Sequence, residues 1–335
     1  MGGLFSLEQR RAETSAGISE SAVPDACIDA LNKVIPKRFA AAVGEAMAAS
    51  GCIEELRFRV NRPVQLITRR GEIMLRNGAF TAGEAKQLLE AVCSHSVYAK
   101  EAELVRGFVS LPGGVRVGIA GEPLAENGKN TRLTTVSCFN IRIPRELIGC
   151  AEPLIPLLTE ETGEGRMPVT SIIAAPPGAG KTTFLRDCAR CFSSGIGAAR
   201  PLKVAVADER NELAGSVGGV PTLNIGERTD VMAGAPKTVI MPMLLRSMSP
   251  EVIVTDEIGG EEDMRAVSEA ATYGAAVFAS IHAGSSAELR NKKWLIEPIE
   301  NGLKVRVLLL RRIGGKFALR EAEMLGRKGK TERAE

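Results

Sequence analysis

The sequence predicts an α/β protein in which a domain built on a parallel sheet follows a smaller α+β domain. Beyond residue 169, short apolar runs alternate with segments of helical periodicity, the pattern of a parallel sheet covered by helices. Before residue 145, helical stretches and alternating strand-like runs are separated by turn residues. Between these regions lie three prolines and the polar run TEETGEG, which we interpret as a linker.

Length and composition agree with two domains of ordinary size. The chain has 335 residues, of which 44% are hydrophobic and 25% charged, and its formal net charge is +3. No apolar run approaches the roughly 18–20 residues that span a bilayer, and the first residues do not resemble a signal peptide, so we expect a cytoplasmic protein. The predicted boundaries are a tail at 1–22, an α+β domain at 23–145, a linker at 146–168, an α/β domain at 169–325 and a tail at 326–335.

The N-terminal domain is predicted to open with one helical stretch, from Pro24 to about Ala49, and to continue with strands between residues 53 and 75. Thr81 and Glu84 have the spacing of a capping box that starts a further helix. We then expect a hairpin at 107–120, a polar loop at 121–132 and a strand at 135–143.

The stretch with the clearest chemistry is SIIAAPPGAGKTTFLRDCAR, residues 171–190. An apolar strand, a glycine-rich loop, Lys-Thr and a helix form the pattern of a P-loop, whose backbone N–H groups and helix N-terminus surround a polyphosphate. Lys181 is expected to reach the β- and γ-phosphates, and the Thr182 hydroxyl is a candidate ligand of a Mg²⁺ ion. Ala175 replaces the usual first glycine, at a position that ends the strand. The predicted nucleotide contacts are Pro177, Gly178, Ala179, Gly180, Lys181, Thr182 and Thr183.

Four apolar runs in the second domain end on polar residues. One ends at the P-loop, and the others end at Asp208-Glu209, Asp256-Glu257 and His282. Because the carboxyl ends of parallel strands share one edge of a sheet, where ligands bind, we expect these groups to converge on one site.

The residue types suggest a role for each group at this site. Asp256, at the end of an apolar strand, is a candidate for the second coordination sphere of Mg²⁺, and Glu257 is a candidate for orienting or polarising an attacking water. Asp208 and Glu209 are candidates for holding metal-bound waters or for a second base. His282 is a candidate sensor of the γ-phosphate or a link to a neighbouring subunit.

Several motifs in this order resemble those of the ATPases that drive type II and type IV secretion. LLRSMSPEVIVTDEIG is similar to their Walker B segment, VADERNEL to their aspartate box and ASIHAG to their histidine box. Within that superfamily the chain resembles the stage III sporulation AA family of endospore-forming bacteria. The supporting segments lie between about residues 52 and 325: ELRFRVNRPV, GFVSLPGGVRVGIAGE, FNIRIPREL and NIGERTDVMAGAPK.

The resemblance implies a RecA-like ATPase domain that binds ATP and Mg²⁺ and works as a homo-oligomeric ring, with a hexamer as the expected form. Its partners would be membrane-embedded channel or secretion proteins, so that the protein lies at the inner face of a membrane and energises the channel between mother cell and forespore. In the family, arginines of the N-terminal domain help to close over the nucleotide. Arg116 and Arg142 stand in the matching segments, and Arg228 and Arg246 are weaker candidates.

Two departures from the family pattern leave an alternative open. Gly260 stands where an arginine is usual after the Walker B segment, and Asp208-Glu209 inverts the usual order of the aspartate box. An ATP-binding scaffold with little turnover therefore remains an alternative to the motor. A nucleic-acid motor is a third hypothesis, but near-neutral charge, two Tyr and one Trp offer little surface for phosphates or bases, so we expect no nucleic-acid partner.

The seven cysteines do not indicate a disulfide framework, because they are scattered and odd in number. Cys188 and Cys191 form a C-x-x-C one helical turn apart, and we interpret them as small core residues, with a redox or metal role as the alternative. No metal-ligand cluster is expected from the two histidines, His95 and His282.

Overall fold

The computed structural model describes residues 23, 25–50, 53–68, 71–76, 78–94, 96, 100–105, 107–126, 129–144, 146–313 and 316–325. Both predicted tails, 1–22 and 326–335, and His95 lie outside the described residues. Two compact units are present. The first contains residues up to 145 and Gly215–Val217, and the second contains 146–214 and the described residues from 218 onward.

The first unit is α+β. Its helices are α1 (Asp25–Val34), α2 (Lys37–Ser50), α3 (Ala82–Val92) and α4 (Glu101–Val105). Its strands are β1 (Ile53–Arg59), β2 (Val64–Thr68), β3 (Gly71–Leu75), β4 (Phe108–Ser110), β5 (Arg116–Glu126) and β6 (Lys129–Arg142).

The single helical stretch predicted at the start of this unit is two helices. Helix α1 ends at Val34 and α2 begins at Lys37, so the break falls at Ile35 and Pro36. The ring of Pro36 disfavours helical dihedral angles at the residue before it and removes a backbone donor, which explains the break. The apolar residues of both helices still face one core.

The sheet of the first unit has the order β3-β2-β1-β6-β5-β4, with antiparallel pairing throughout. Its core contains four phenylalanines whose rings pack edge-on or tilted against one another, Phe39, Phe58, Phe80 and Phe139. The prediction of a polar loop at 121–132 is wrong in part, because β5 and β6 extend through much of this region, with three register shifts in their pairing. At the first shift a Cβ on Gly121 would lie 1.8 Å from the Thr135 carbonyl oxygen, so glycine permits the close approach of the strands.

The second unit carries a seven-stranded sheet of order β11-β10-β12-β13-β9-β14-β15, in which only the last pair, β14 and β15, is antiparallel. The strands are β9 (Ser171–Ala175), β10 (Val204–Asp208), β11 (Thr229–Ala233), β12 (Val252–Glu257), β13 (Ala276–His282), β14 (Val305–Ile313) and β15 (Lys316–Leu325). The helices are α5 (Lys181–Ser194), α6 (Lys237–Met248), α7 (Glu261–Thr272), α8 (Ser286–Arg290) and α9 (Lys293–Glu300).

Residues 146–168, which we interpreted as a linker, belong to this second unit. They form a 3-10 helix, Glu152–Leu158, and a small hairpin of β7 (Thr159–Thr162) and β8 (Gly165–Pro168). Leu154, Ile155 and Leu158 are buried in the same core as α5. The prolines therefore lie in the 3-10 helix and at the end of β8, and the polar run forms the hairpin of a packed segment.

Helices cover both faces of the large sheet, so the central strands are buried on both sides. All five residues of β9 and of β10 are buried, as continuous apolar runs predict for parallel strands. Among the described residues, no helix has the length and apolar character needed to cross a bilayer.

Candidate nucleotide-binding site

The P-loop joins the end of β9 to the start of α5. Gly178 has φ +71° and Gly180 has φ +93°, values that glycine adopts without the steric cost of a Cβ. The Gly180 Cα faces the ring of Phe317 on β15, which also packs edge-on against Phe184 of α5. Helix α5 begins at Lys181, immediately after this turn. The aromatic pair of Phe317 and Phe184, which belongs to the second unit, therefore packs beside the loop.

Lys181 lies at the bottom of the loop and is 7% exposed. Its ammonium is 3.2 Å from the Ala175 carbonyl oxygen and 2.7 Å from His282 Nδ1. Burial lowers the pKa of Lys181, and the Glu257 carboxylate opposes that shift. His282 is opposite Ala175 in the register of β13 and β9, which explains why two residues 101 positions apart meet here.

Glu257 completes a row of three polar groups, because its Oε2 is 3.0 Å from His282 Nε2. An ammonium only donates, so His282 Nδ1 accepts from Lys181, and Nε2 carries the proton that is donated to Glu257. The register between β12 and β13 shifts between Val254 and Glu257, a bulge of the kind that redirects a side chain at a functional site. The predicted convergence of the P-loop, Glu257 and His282 at one edge therefore appears in the structure.

Asp256 is 8% exposed and points into the same edge of the sheet. Neither of its carboxylate oxygens accepts a hydrogen bond from any part of the chain that the structure describes, although the Lys237 ammonium is 3.2 Å from Oδ1. Burial, supported by the nearby carboxylates of Glu209 and Asp208, raises the pKa of Asp256 to about 6 against the opposing effect of Lys237. A buried carboxylate with free lone pairs is the donor that a hard, hydrated cation requires, so Asp256 fits a magnesium site.

Asp208 and Glu209 differ sharply in environment although they are neighbours. Asp208 is fully buried and accepts three backbone N–H groups, from Glu212 at 2.8 Å, Leu213 at 2.9 Å and Ala214 at 2.8 Å. Burial raises the pKa of Asp208, and the three hydrogen bonds oppose that rise. The side chain of Glu209 is 37% exposed and pairs with Lys237 at 2.6 Å. Asp208 therefore holds a turn, whereas Glu209 faces the candidate site.

Two basic residues near the site were not singled out in the sequence. Arg186 of α5 donates to the carbonyl oxygens of Leu213 and Glu212, each at 2.7 Å, and so fixes the same turn as Asp208. Lys237, the first residue of α6, lies among the carboxylates of Glu209, Asp256 and Asp263. A lysine directly after Pro236, at the start of a helix, was the available signal, since a cation is unfavourable at that end of a helix dipole.

The four candidate arginines lie in different segments of the chain. Arg116 and Arg142 are in the first unit, opposite each other in the register of β5 and β6. Arg228 is exposed and donates to the Ser193 carbonyl oxygen, and Arg246 is exposed near the end of α6. Their proposed contacts with phosphate remain predictions from the resemblance.

Cys188 and Cys191 are fully buried on α5, and burial raises the pKa of both thiols. A high pKa keeps a thiol protonated and unreactive, which agrees with the interpretation as core residues. Within the described part of the chain, no group of three or more His, Cys, Asp or Glu side chains is arranged as a metal-binding cluster.

Comparison with known proteins shows the family to which the chain belongs. The sequence matches the family described as "Sporulation stage III, protein AA" over residues 28–328. The chain belongs to this family. A stage III sporulation protein AA from Bacillus subtilis (strain 168) is 42% identical over 263 residues, which cover 78% of this chain and 84% of that protein.

Two solved structures that share the fold of this chain are an ATPase and a pilus retraction motor. The ATPase DotB of Legionella pneumophila aligns with a TM-score of 0.53 at 14% identity, covering 87% of this chain and 81% of DotB. The pilus retraction motor PilT, solved with bound ADP, aligns with a TM-score of 0.54 at 15% identity, covering 86% of this chain and 82% of PilT. These likenesses establish the RecA-like P-loop fold of this member of the stage III sporulation AA family.

Proposed function

We propose that this family member is a Mg²⁺-dependent ATPase that works as a ring and energises the channel between mother cell and forespore. The observation that carries the proposal is the row formed by Lys181, His282 and Glu257 at the carboxyl edge of the sheet. Asp256, which precedes Glu257 in the chain, has a buried carboxylate that accepts no hydrogen bond from the described residues and is ion-paired with Lys237. A phosphate-binding cation, a polar relay and a carboxylate base in one place form the set of groups that phosphoryl transfer to water requires.

Each side chain has a defined task in this proposal. The N–H groups of the P-loop and the Lys181 ammonium bind the β- and γ-phosphates. Thr182 and Asp256 hold the magnesium ion, whose contribution when bound is to neutralise charge on the phosphate oxygens. Glu257 accepts a hydrogen bond from the attacking water and orients it, and His282 holds the Glu257 carboxylate through Nε2.

Of the two aspartate-box carboxylates, we assign the functional role to Glu209. The Asp208 oxygens already accept three backbone N–H groups, whereas Glu209 is half-exposed and linked through Lys237 to Asp256. With this assignment, the inverted order of the pair leaves a carboxylate at the candidate site.

Ring formation and membrane partners are inferred from the relatives. PilT is named as a pilus retraction motor and DotB as an ATPase, and the Bacillus subtilis relative is named for a stage of sporulation. We therefore infer a hexamer that docks on membrane-embedded channel proteins from the cytoplasmic, mother-cell side. This arrangement agrees both with the names of the relatives and with the sequence resemblance.

The test is steady-state ATP hydrolysis against protein concentration, beside Lys181→Ala, with the particle mass measured with and without nucleotide. We expect turnover per chain to rise with concentration, a nucleotide-dependent increase in mass, and loss of nucleotide binding in Lys181→Ala because the buried ammonium that meets the phosphates is gone. Tight ATP binding without turnover at any concentration would contradict the motor and favour the scaffold alternative. Turnover by Lys181→Ala at the wild-type rate would contradict the site itself.

A further inference from the structure

Lys237 is a buried lysine that the proposed reaction leaves without a role. Its side chain is 6% exposed, and its ammonium is 2.6 Å from Glu209 Oε2, 3.2 Å from Asp256 Oδ1 and 3.6 Å from Asp263 Oδ2. These three carboxylates come from three different segments: the turn after β10, the end of β12 and the first turn of α7.

Placing a lysine here is costly in isolation. Removing an ammonium from water is unfavourable, and the first residue of a helix is the end at which the helix dipole repels a cation. Three carboxylates offset both costs. Replacing such a cluster by apolar residues is often neutral or stabilising in other proteins, so fold stability alone is a weak reason for its presence.

The geometry of the cluster points instead to Asp256. Asp263 also accepts the Gly259 N–H at 2.8 Å, so it is fixed against the backbone that follows β12. Lys237 is paired with both Asp263 and Glu209. It also contacts Asp256, whose carboxylate accepts no hydrogen bond from the described residues. Among the residues that the structure describes, the Lys237 ammonium is the group that contacts the Asp256 carboxylate and can set its orientation.

We propose that Lys237 is a positioning residue of the nucleotide site, which aims the Asp256 carboxylate and couples it to Glu209. This inference rests on the proposed function, because it assigns Asp256 to the magnesium–nucleotide complex. Without the ammonium, Glu209, Asp256 and Asp263 repel one another, and the repulsion is relieved by moving the carboxylates apart. Asp256 then loses its fixed orientation while the P-loop, with Lys181, stays intact.

The experiment compares wild type with Lys237→Met and Lys237→Arg by titrating a fluorescent ATP analogue with and without Mg²⁺. The quantity of interest is the ratio of the two dissociation constants, which measures how much Mg²⁺ strengthens binding. In Lys237→Met we expect Mg²⁺-free affinity within about twofold of wild type and a loss of tenfold or more in the Mg²⁺ effect, a loss equal to about 1.4 kcal/mol. Lys237→Arg keeps the charge, so it should fold and restore part of the effect.

Lys293→Met is the matched control, because Lys293 is likewise the first residue of a helix but is exposed. It should leave both dissociation constants unchanged. A Lys237→Met protein that unfolds more easily yet keeps the wild-type Mg²⁺ effect would show a merely structural ion pair and overturn the inference. Equal loss with and without Mg²⁺ would overturn it as well, since the P-loop rather than Asp256 would be affected.

The two proposals fail differently in this experiment. If wild type binds no nucleotide, the proposed function falls and the role of Lys237 falls with it. If wild type binds nucleotide with a normal Mg²⁺ effect that Lys237→Met and Lys237→Arg both retain, only the role of Lys237 falls.

Discussion

At the scale of single residues, Asp208 and Glu209 show how neighbouring carboxylates take separate tasks. Asp208 ends a buried strand, and its side chain turns back to bind the N–H groups of residues 212–214. Glu209 is the first residue of the turn that follows the strand, and its side chain pairs with Lys237 instead. The family resemblance alone leaves the two residues equivalent, whereas hydrogen bonding separates them.

This division predicts opposite effects of two alanine substitutions. Asp208→Ala leaves three backbone donors without their acceptor, so we expect the free energy of unfolding to fall by about 1–3 kcal/mol. Glu209→Ala should cost less stability, because the side chain is partly exposed, but should lower ATP turnover per folded protein more than Asp208→Ala does. Urea unfolding and steady-state hydrolysis measure both. A fully stable Asp208→Ala protein that has lost turnover would reverse the assignment.

Two kinds of sequence signal identified the residues of the candidate site. Lys181 was identified by the P-loop pattern, whereas Asp256, Glu257 and His282 were identified at the ends of apolar strands, which can be located from the sequence. Lys237 and Arg186 lie on helices, where a basic residue is ordinarily exposed to solvent. Their burial depends on which carboxylates and carbonyl groups the tertiary fold brings near, and this information is not local in the chain.

At the scale of elements, the start of α3 shows local signals and tertiary contacts acting together. Thr81 Oγ1 accepts the Glu84 N–H at 3.2 Å, and Glu84 Oε2 accepts the Thr81 N–H at 2.8 Å, so the predicted capping box is confirmed. Arg38 of α2 adds an ion pair to Glu84, with Nη2 2.7 Å from Oε2. The Arg38 guanidinium, aided by the Thr81 N–H, lowers the pKa of Glu84 to about 2 against the effect of burial.

The lowered pKa predicts a pH-dependent contribution to stability. Because Glu84 titrates at a lower pH in the folded protein than in the unfolded chain, its contribution is present above about pH 4.3 and is lost as the pH falls toward 2. Glu84→Gln should lower the free energy of unfolding by about 1 kcal/mol at pH 7, a modest amount because Arg38 is partly exposed and screened by solvent. Urea unfolding at several pH values should show this difference shrinking below about pH 4.

Glu45→Gln, on an exposed position of α2, is the control for this series and should differ little from wild type at any pH. A Glu84→Gln deficit that stays constant from pH 7 to pH 3 would show that the cap contributes through packing alone.

The elements that were misjudged had ambiguous local signals. A helical periodicity that continued across Pro36 concealed the break between α1 and α2. Glycine and asparagine in 121–132 indicated a loop, but β5 and β6 stay paired through much of this region despite register shifts at Gly121 and beyond. In residues 146–168 prolines indicated a linker, although Ile155 and its neighbours had a core to pack against. At 121–132 and 146–168, strand pairing and core packing outweighed the local preference, whereas at Pro36 the local effect of proline outweighed the apolar periodicity.

At the scale of the whole molecule, family and fold are established and the activity is the central claim. The match over residues 28–328 and the RecA-like fold account for the order of the motifs along the chain. The proposed ATPase depends on one arrangement within the second unit, the row from Lys181 through His282 to Glu257. A substitution of Glu257, the proposed catalytic base, leaves Lys181 in place to bind phosphate, and it therefore tests the claim most directly.

That substitution is Glu257→Gln, assayed for ATP binding and for single-turnover hydrolysis beside wild type. The amide keeps the size of the side chain but accepts a proton poorly, so the account predicts ATP affinity close to that of wild type and a hydrolysis rate lower by a factor of about 100 or more. Hydrolysis by Glu257→Gln at the wild-type rate would contradict the assignment of Glu257 as the base.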